Sequence, residues 1–257
     1  MERDVQADIE RVAQLVGEAK QIVAFTGAGI SAESGIPTYR DTNGLWTKYD
    51  PDKYASIDYF LQEPSYYWQF FREVRYPLLF KRAKANPAHV ALAELESIGK
   101  LRCIVTQNID GLHQQAGSKR VIELHGNTRI IRCLDCSREH TPDRVYELTE
   151  RQMPPVCPDC GGILKPAVVF FGEPLPEGAI REAYAEAEAC DLLLAVGSSL
   201  VVYPAAHIPT QAKEYGARLV IINKDPTAMD TIADVVVHAE AGTVLPQIVE
   251  IIAPSER

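Results

Sequence analysis

The 257-residue sequence contains no apolar run that approaches the roughly 18 residues needed to span a bilayer. It also lacks an excess of positive charge, since 26 lysines and arginines are outnumbered by 35 aspartates and glutamates, which gives a net charge of −9. General binding to nucleic-acid phosphates and a membrane partner are therefore not expected. The first residues, Met1-Glu2-Arg3-Asp4, lead into an amphipathic pattern. We accordingly predict no signal peptide and a cytoplasmic location.

Familiar hydrolase signatures are missing as well. The sequence has no G-x-S-x-G elbow, and no pair of carboxylates in a recognisable glycosidase or protease setting. It shows no internal repeat and no low-complexity tract. With 46% apolar and 24% charged residues, the composition is that of a folded globular protein.

The cysteines are few but informative. Two Cys-x-x-Cys pairs, with twenty residues between them, are formed by Cys133, Cys136, Cys157 and Cys160. Two such pairs can surround one metal ion with four thiolates, which leaves no open position for water and predicts a structural site. Zinc is the favoured ion and an iron–sulfur cluster is the alternative. Cys103 and Cys190 stand alone beside apolar runs and are interpreted as buried small hydrophobic residues.

Short apolar runs recur along the chain with helical patterns between them. They are continuous rather than alternating, which is typical of strands buried on both faces of a parallel sheet. Asn86-Pro87 has the form of a helix N-cap, and Gly99 that of a helix end. The repeated order of strand and helix predicts an α/β fold with a doubly wound, Rossmann-like parallel sheet. The predicted strands are 22–25, 101–106, 121–124, 192–196, 219–222 and 235–237.

Two stretches interrupt this alternation. Residues 40–85 are rich in aromatic residues, for which core packing is the favoured interpretation and a pocket wall the alternative. Residues 128–166 carry the paired cysteines and are rich in proline. We expect both to be insertions that form a smaller domain, with a helical module (40–85) and a zinc-binding module (128–166). Residues 1–39, 86–127 and 167–257 then form the Rossmann-like domain.

A glycine-rich loop follows the first predicted strand. Gly27, Gly29 and Ala32 form the pattern G-x-G-x-x-A, which in this context favours a dinucleotide-binding loop over a plain turn. A helix is expected next, with its N-terminal amides directed at the phosphates. Dehydrogenases continue with a second strand ending in an acid that binds the ribose, and that strand is missing here. The dinucleotide is therefore considered as a consumed substrate.

Polar or small residues follow the other predicted strands. Because the carboxyl ends of parallel strands meet at one edge of the sheet, we expect these residues to share one crevice. For each segment alone, a simple turn or a structural histidine is the alternative. The other histidines, at positions 89, 113, 140, 207 and 238, are interpreted as structural. The crevice residues are Thr106, Gln107, Asn108, Ile109, Asp110, His125, Gly197, Ser198, Ser199, Asn223, Lys224 and Asp225.

These stretches together resemble the sirtuins, a family of NAD-dependent protein deacylases. The matching segments are GAGISAESGIP at 27–37, YRD at 39–41, TQNID at 106–110, HG at 125–126, the four cysteines, VVFFGE at 168–173, GSSL at 197–200 and IN at 222–223. They occur in the family's order over nearly the whole chain. Tyr39 departs from the pattern, since many members carry phenylalanine there.

The resemblance implies a role for each matching position. It implies His125 as the catalytic base, with Asn108 and Asp110 positioning the reacting ribose and nicotinamide. NAD would be held by Gly27, Ala28, Gly29, Ala32, Tyr39, Arg40, Gln107, Asn108, Ile109, Asp110, Gly197, Ser198, Ser199, Asn223, Lys224, Asp225 and Ala241. The substrate peptide would lie as an added strand against Val169, Phe170, Phe171, Gly172, Val201, Val202 and Tyr203.

The implied reaction removes acetyl groups from protein lysines. NAD is consumed, one structural zinc is bound, and the products are nicotinamide, free lysine and O-acetyl-ADP-ribose. Mono-ADP-ribosyl transfer and a non-catalytic NAD-binding interaction module are the alternatives. Family members that remove succinyl groups carry Tyr-x-x-Arg, where this sequence has Phe71 and Val74. An apolar acyl pocket that strongly prefers acetyl is therefore expected, with Arg75 pointing away from it.

Overall fold

The computed structural model describes residues 5–39 and 44–252. Its strands are β1 Ile22–Thr26, β2 Leu101–Thr106, β3 Val121–Glu123, β4 Gly126–Cys133, β5 Glu139–His140, β6 Leu164–Val168, β7 Leu192–Val196, β8 Arg218–Ile222 and β9 Val235–Val237. Six of them form a sheet in the order β3-β2-β1-β7-β8-β9, with every neighbouring pair parallel. The predicted strands and the doubly wound α/β class are confirmed.

Helices cover both faces of this sheet. The α-helices are α1 Val5–Glu18, α2 Pro51–Tyr54, α3 Ile57–Gln62, α4 Pro64–Phe70, α5 Pro87–Ser97, α6 Leu112–Gln115, α7 Pro142–Arg151, α8 Glu177–Ala189, α9 His207–Glu214 and α10 Ala241–Ile252. α1, α5 and α10 pack on one face, and α8 and α9 on the other. The central strands β1 and β7 are buried along their whole length, which explains their continuous apolar runs.

The predicted start of α5 is confirmed in atomic detail. The Asn86 side chain accepts hydrogen bonds from the backbone N–H groups of Ala88 (2.9 Å) and His89 (3.4 Å), and Pro87 occupies the first helical turn. His89 Nδ1 accepts a hydrogen bond from the Asn86 N–H in return (3.3 Å). This reciprocal cap satisfies donors that the helix itself leaves unpaired.

The cysteine-bearing stretch forms a second, three-stranded antiparallel sheet in the order β5-β4-β6. Its apolar side packs against the aromatic stretch, which folds into short helices with π-helical turns at Phe71–Arg75 and Pro77–Arg82. The two stretches share one hydrophobic core. It buries Phe60, Tyr67, Trp68, Phe71, Ile131, Cys133, Val145, Cys157 and Leu164 among others.

Within the described residues, none of the helices has the length and apolar character needed to cross a membrane.

The turn after β1 differs from the expected α-helix. Residues Ala28–Ser34 form a 3-10 helix instead, which begins at Gly27 and ends at Gly35 in the left-handed conformation (φ 80°). A Cβ atom on either Gly27 or Gly29 would lie 2.8 Å from the Gly197 carbonyl oxygen. The loop after β1 therefore packs backbone against backbone on the loop after β7.

We expect Gly197→Ala to lower the free energy of unfolding by more than about 2 kcal/mol, because Gly197 has a φ of 58° and a Cβ there would lie 2.1 Å from the Ile30 backbone nitrogen. Urea unfolding measures this change. Gly178→Ala in α8 is the matched control, since its Cβ would meet nothing within 4 Å. A Gly197→Ala protein as stable as this control would contradict the assignment.

Candidate functional site

A cleft of about 710 Å³ lies at the carboxyl ends of the central strands, between the large sheet and the smaller one. Most of the site residues predicted from the sequence line it, as the crevice argument requires. They are Gly27, Ala28, Gly29, Ala32, Tyr39, Gln107, Asn108, Ile109, His125, Val169, Phe170, Phe171, Gly172, Gly197, Ser198, Ser199, Val202, Tyr203, Asn223, Lys224, Asp225 and Ala241.

The loop after β1 is fixed from two sides. The N–H of Gly29 donates to the carbonyl oxygen of Gly197 (2.8 Å), and the N–H of Gly27 donates to that of Val196 (3.1 Å). On the other side, the buried Asn108 side chain donates to the Gly27 carbonyl oxygen (3.0 Å). The Gln107 amide donates to Ser198 Oγ (2.9 Å), which ties the end of β2 to the end of β7. These hydrogen bonds connect the loops that form the floor of the cleft.

His125 follows β3 and lies at the cleft wall. Its Nδ1 lies 2.9 Å from the backbone carbonyl oxygen of Gln107. A carbonyl only accepts hydrogen bonds, so Nδ1 carries the proton and Nε2 keeps a free lone pair. Burial lowers the pKa of His125 below its usual value, although the carbonyl opposes this shift. At neutral pH the imidazole is therefore a neutral base.

Asp110 lines a second, smaller cavity next to the main cleft. Its carboxylate accepts hydrogen bonds from Ser31 Oγ (2.8 Å) and from the Leu112 N–H (2.9 Å). Burial raises the pKa of Asp110, and these two hydrogen bonds oppose the rise. Asn108 also donates to Ser31 (3.2 Å), so both polar residues after β2 are anchored to the glycine-rich loop.

Two buried histidines lie beneath that loop, with ring centroids 4.9 Å apart. His113 Nε2 lies 3.0 Å from Thr26 Oγ1, and His89 Nε2 lies 3.4 Å from Ser31 Oγ. Burial lowers the pKa of His89 to about 4 and that of His113 to about 3. The interpretation of both as structural residues agrees with this placement, since neither lines the cleft.

The opposite end of the cleft carries charged side chains. Lys224 forms an ion pair with Glu240 (3.3 Å), and the Asn223 amide donates to the Asp225 carbonyl oxygen (2.7 Å). Glu33 accepts a hydrogen bond from the Gly242 N–H in the first turn of α10 (2.7 Å). An uncharged group rich in hydroxyls, such as a ribose, suits this end.

The rim of the cleft is apolar and open. Phe171, Val201 and Tyr203 are 45%, 49% and 60% exposed. Phe171 exchanges two backbone hydrogen bonds with the helical stretch, donating to the Ala55 carbonyl oxygen (2.7 Å) and accepting from the Ile57 N–H (3.0 Å). The segment after β6 is therefore tied through the Phe171 backbone to the helical stretch at the rim of the cleft.

Four of the predicted site residues lie elsewhere, and Arg40 is outside the described residues. Asp110 and Val74 line the second cavity and not the main cleft. Phe71 lies in the core shared by the aromatic and cysteine stretches, and Val201 is on the surface beside the rim.

Several residues that line the cleft have no recognisable signal in the sequence, including Glu33, Trp46, Tyr54 and Glu173. The expected direction of the Arg75 side chain is wrong. Arg75 lines both cavities and does not point away from them. The wrong expectation came from α-helical spacing, whereas Phe71–Arg75 is a π-helical turn with more residues per turn.

Arg75 is buried, with only 7% of its surface exposed. Its guanidinium carbon lies 5.3 Å from the ring centre of Phe70 and 5.6 Å from that of Tyr67. Across residues 5–39 and 44–252, no carboxylate lies within ion-pair distance of it. The cleft therefore contains a cation that the aromatic rings stabilise only in part.

The four paired cysteines converge at one point. Their sulfur atoms all lie within 4.8 Å of one another, with Cys133 and Cys160 3.5 Å apart and Cys136 and Cys157 3.8 Å apart. A tetrahedron with Zn–S bonds of about 2.3 Å places its sulfurs about 3.8 Å apart. The arrangement thus fits one structural zinc ion, and Cys103 and Cys190 are buried elsewhere as expected.

Comparison with known proteins agrees with this geometry. The model of the Sir2 family matches residues 27–204. NAD-dependent protein deacylase 2 of Archaeoglobus fulgidus is 49% identical over 247 residues, which cover 96% of each chain. An NAD-dependent protein deacetylase of Sulfurisphaera tokodaii is 48% identical over 246 residues, 95% of this chain and 96% of that protein.

Solved structures of Sir2 proteins are also similar to this chain over nearly its whole length. A Sir2 enzyme structure with 48% identity superposes with a TM-score of 0.89 and covers 96% of this chain and 98% of the other. A structure of Sir2 with a p53 peptide and NAD+ has a TM-score of 0.88 at 40% identity, with coverage of 94% and 97%.

The buried histidines predict a loss of stability in mild acid. Unfolding returns both imidazoles to a pKa near 6.5, so below that pH the unfolded chain binds protons that the folded chain excludes. The free energy of unfolding should therefore fall as the pH is lowered from about 6.5 to about 4. Urea unfolding at a series of pH values measures the slope. His89→Gln should reduce it, and His207→Gln, at an exposed position, should not; equal slopes in all three proteins would contradict the prediction.

The cysteine cluster predicts one tightly held zinc ion per chain. Cys136→Ser should lower the zinc content and destabilise the smaller sheet, because bound metal contributes folding free energy. Metal analysis and thermal unfolding test this. Cys190→Ala, away from the cluster, should keep its zinc. Full zinc occupancy and unchanged melting in Cys136→Ser would argue against the site.

Proposed function

The chain belongs to the Sir2 family, and on that premise we propose that it is an NAD-dependent protein-lysine deacetylase. The observation that carries the proposal is the position of His125, a neutral imidazole whose free Nε2 lies in the same cleft as the glycine-rich loop. Relatives named as NAD-dependent deacylases and deacetylases, each matching over nearly the whole chain, support it. So do Sir2 structures that hold NAD+ or an acetylated peptide.

Each part of the cleft has a proposed task. The loop with Gly27, Ala28, Gly29 and Ala32 receives the pyrophosphate, because its backbone can approach a phosphate closely. The end with Asn223, Lys224, Asp225 and Ala241 receives the adenosine, together with Gly197, Ser198 and Ser199. Gln107 and Ile109 surround the nicotinamide and its ribose, and the family resemblance implies cofactor contacts for Tyr39 and Arg40. Asn108 and Asp110, both anchored to the loop, position these reacting groups.

The acetyl-lysine enters from the apolar rim beside Val169, Phe170, Phe171, Gly172, Val202 and Tyr203, with Val201 at its outer edge and Phe71 and Val74 behind its inner end. In the reaction the acyl oxygen bonds to the ribose C1′ as nicotinamide leaves. His125 Nε2 then accepts the proton from the ribose hydroxyls, so that the ribose 2′-oxygen can bond to the acyl carbon. The lysine leaves as the free amine, and water then cleaves the bond between the acyl carbon and the oxygen on C1′, which gives O-acetyl-ADP-ribose.

The remaining features fit this activity. We propose that residues 1–39, 86–127 and 167–257 form the NAD-binding domain, and that 40–85 and 128–166 form the small domain. Zinc at Cys133, Cys136, Cys157 and Cys160 would fix the small sheet and take no part in the chemistry. None of the six cysteines, all in the described part of the chain, forms a disulfide bond. Free thiols are typical of a reducing compartment, which supports a cytoplasmic location. The acidic net charge supports a protein substrate and not a nucleic acid.

Nicotinamide release from NAD is the direct test. We expect release only when an acetyl-lysine peptide is present, with equimolar deacetylated peptide and O-acetyl-ADP-ribose. Release with an unmodified protein that becomes labelled by ADP-ribose would instead establish ADP-ribosyl transfer. NAD binding without any release would leave a non-catalytic binding module.

His125→Ala should lower deacetylation by at least ~100-fold, the usual contribution of a general base. NAD binding, measured by calorimetry, should stay near that of the unchanged protein. Because burial lowers the pKa of His125, the unchanged enzyme should lose activity only when the pH falls below the ordinary histidine range near 6.5. A His125→Ala enzyme with near-normal turnover would refute the base assignment.

An apolar acyl pocket would bury a succinyl carboxylate without a partner. Arg75 is a buried cation that lines the cleft, so it can supply that partner. We expect Arg75→Met to lower removal of succinyl groups more than removal of acetyl groups, by about tenfold or more in kcat/KM ratio. Arg72→Met, at a more exposed arginine of the same turn, is the control. An unchanged ratio would show that Arg75 does not contact the acyl group.

A further inference from the structure

The cysteine cluster has a polar neighbour that the metal site itself does not require. His140, in the short strand β5 opposite Ile131 of β4, is nearly buried, with 9% of its side chain exposed. Its Nε2 lies 3.5 Å from Cys157 Sγ. The same nitrogen lies 4.0 Å from the Asp159 carboxylate, which also forms an ion pair with Arg138 (2.5 Å).

His140 is not needed as a ligand. The four sulfur atoms already have the spacing of a complete ZnS4 tetrahedron, and structural zinc sites are four-coordinate. A metal-bound cysteine is a thiolate, which has no proton and can only accept hydrogen bonds. Cys157 is itself 1% exposed, so water has little access to its sulfur.

We propose that His140 is a positioning residue for the metal site and that its imidazole donates a hydrogen bond from Nε2–H to the Cys157 thiolate. Four thiolates give the zinc centre a net negative charge, and a donor beside the most buried pair of sulfurs offsets part of it. Asp159 favours the same tautomer, because its carboxylate, 4.0 Å from Nε2, attracts an N–H group electrostatically and would repel a lone pair. The hydrogen bond therefore slows loss of zinc without adding a ligand.

Zinc release from the loaded protein tests this proposal. His140→Phe and His140→Leu remove the donor, and His140→Gln keeps an N–H group at a similar distance. With a chromogenic chelator at neutral pH, we expect the first two to release zinc 10- to 100-fold faster, in line with the effect of lost outer contacts, and the glutamine variant to stay within about threefold of the unchanged protein. His207→Phe is the control at an exposed histidine.

Three results would overturn the proposal. The first is zinc release from both apolar variants at the unchanged rate. The second is a glutamine variant that releases zinc as fast as they do, which would mean that packing of the imidazole and not the hydrogen bond retains the metal. Spectra of the cobalt-substituted proteins should show equal thiolate-to-metal absorption in all variants. The third overturning result is stronger absorption after loss of His140, which would identify it as a ligand in place of a cysteine. These readouts do not depend on deacetylase activity, so the proposal can fail while the proposed function stands.

Discussion

The contact on which the cleft depends is the close approach of two backbone turns. Gly27 and Gly29 after β1 pack on Gly197 after β7, at distances that leave no room for a Cβ atom. These strands are neighbours at the centre of the sheet, where its two halves meet. Because the turns touch, residues that follow β2 and β3 and residues that follow β7 and β8 reach the same space. Polar groups more than a hundred residues apart in the chain, such as Gln107 and Asp225, therefore line one cleft.

A second constraint is the core shared by the aromatic and cysteine stretches. Cys133 and Cys157 are at once metal-site residues and members of the cluster that buries Trp68 and Phe71. Arg75, four residues after Phe71, lines the cleft, and both Val74 and Arg75 line the second cavity. A change at the metal site can therefore reach the substrate side through packed side chains, although the sulfurs themselves do not line the cleft.

The sequence allowed the sheet to be predicted because its strands are buried on both faces, which leaves a strong continuous apolar signal in runs such as 192–196 and 219–222. The cysteine cluster followed from spacing alone. The 3-10 helix after β1 and the π-helical turn before Arg75 did not, because both depend on local packing that overrides α-helical periodicity. That one change of helical type decides whether Val74 or Arg75 borders the main cleft.

The partner of His125 is a main-chain oxygen, and this has a consequence for how the site tolerates change. In many enzymes a carboxylate side chain sets the imidazole tautomer and can be lost by one substitution. Here the carbonyl of residue 107 does so, and every amino acid at that position supplies one. A substitution at 107 would remove the side-chain contact with Ser198 but would leave the acceptor for Nδ1 in place. The orientation of the His125 imidazole therefore depends on the backbone of the fold and not on one particular side chain.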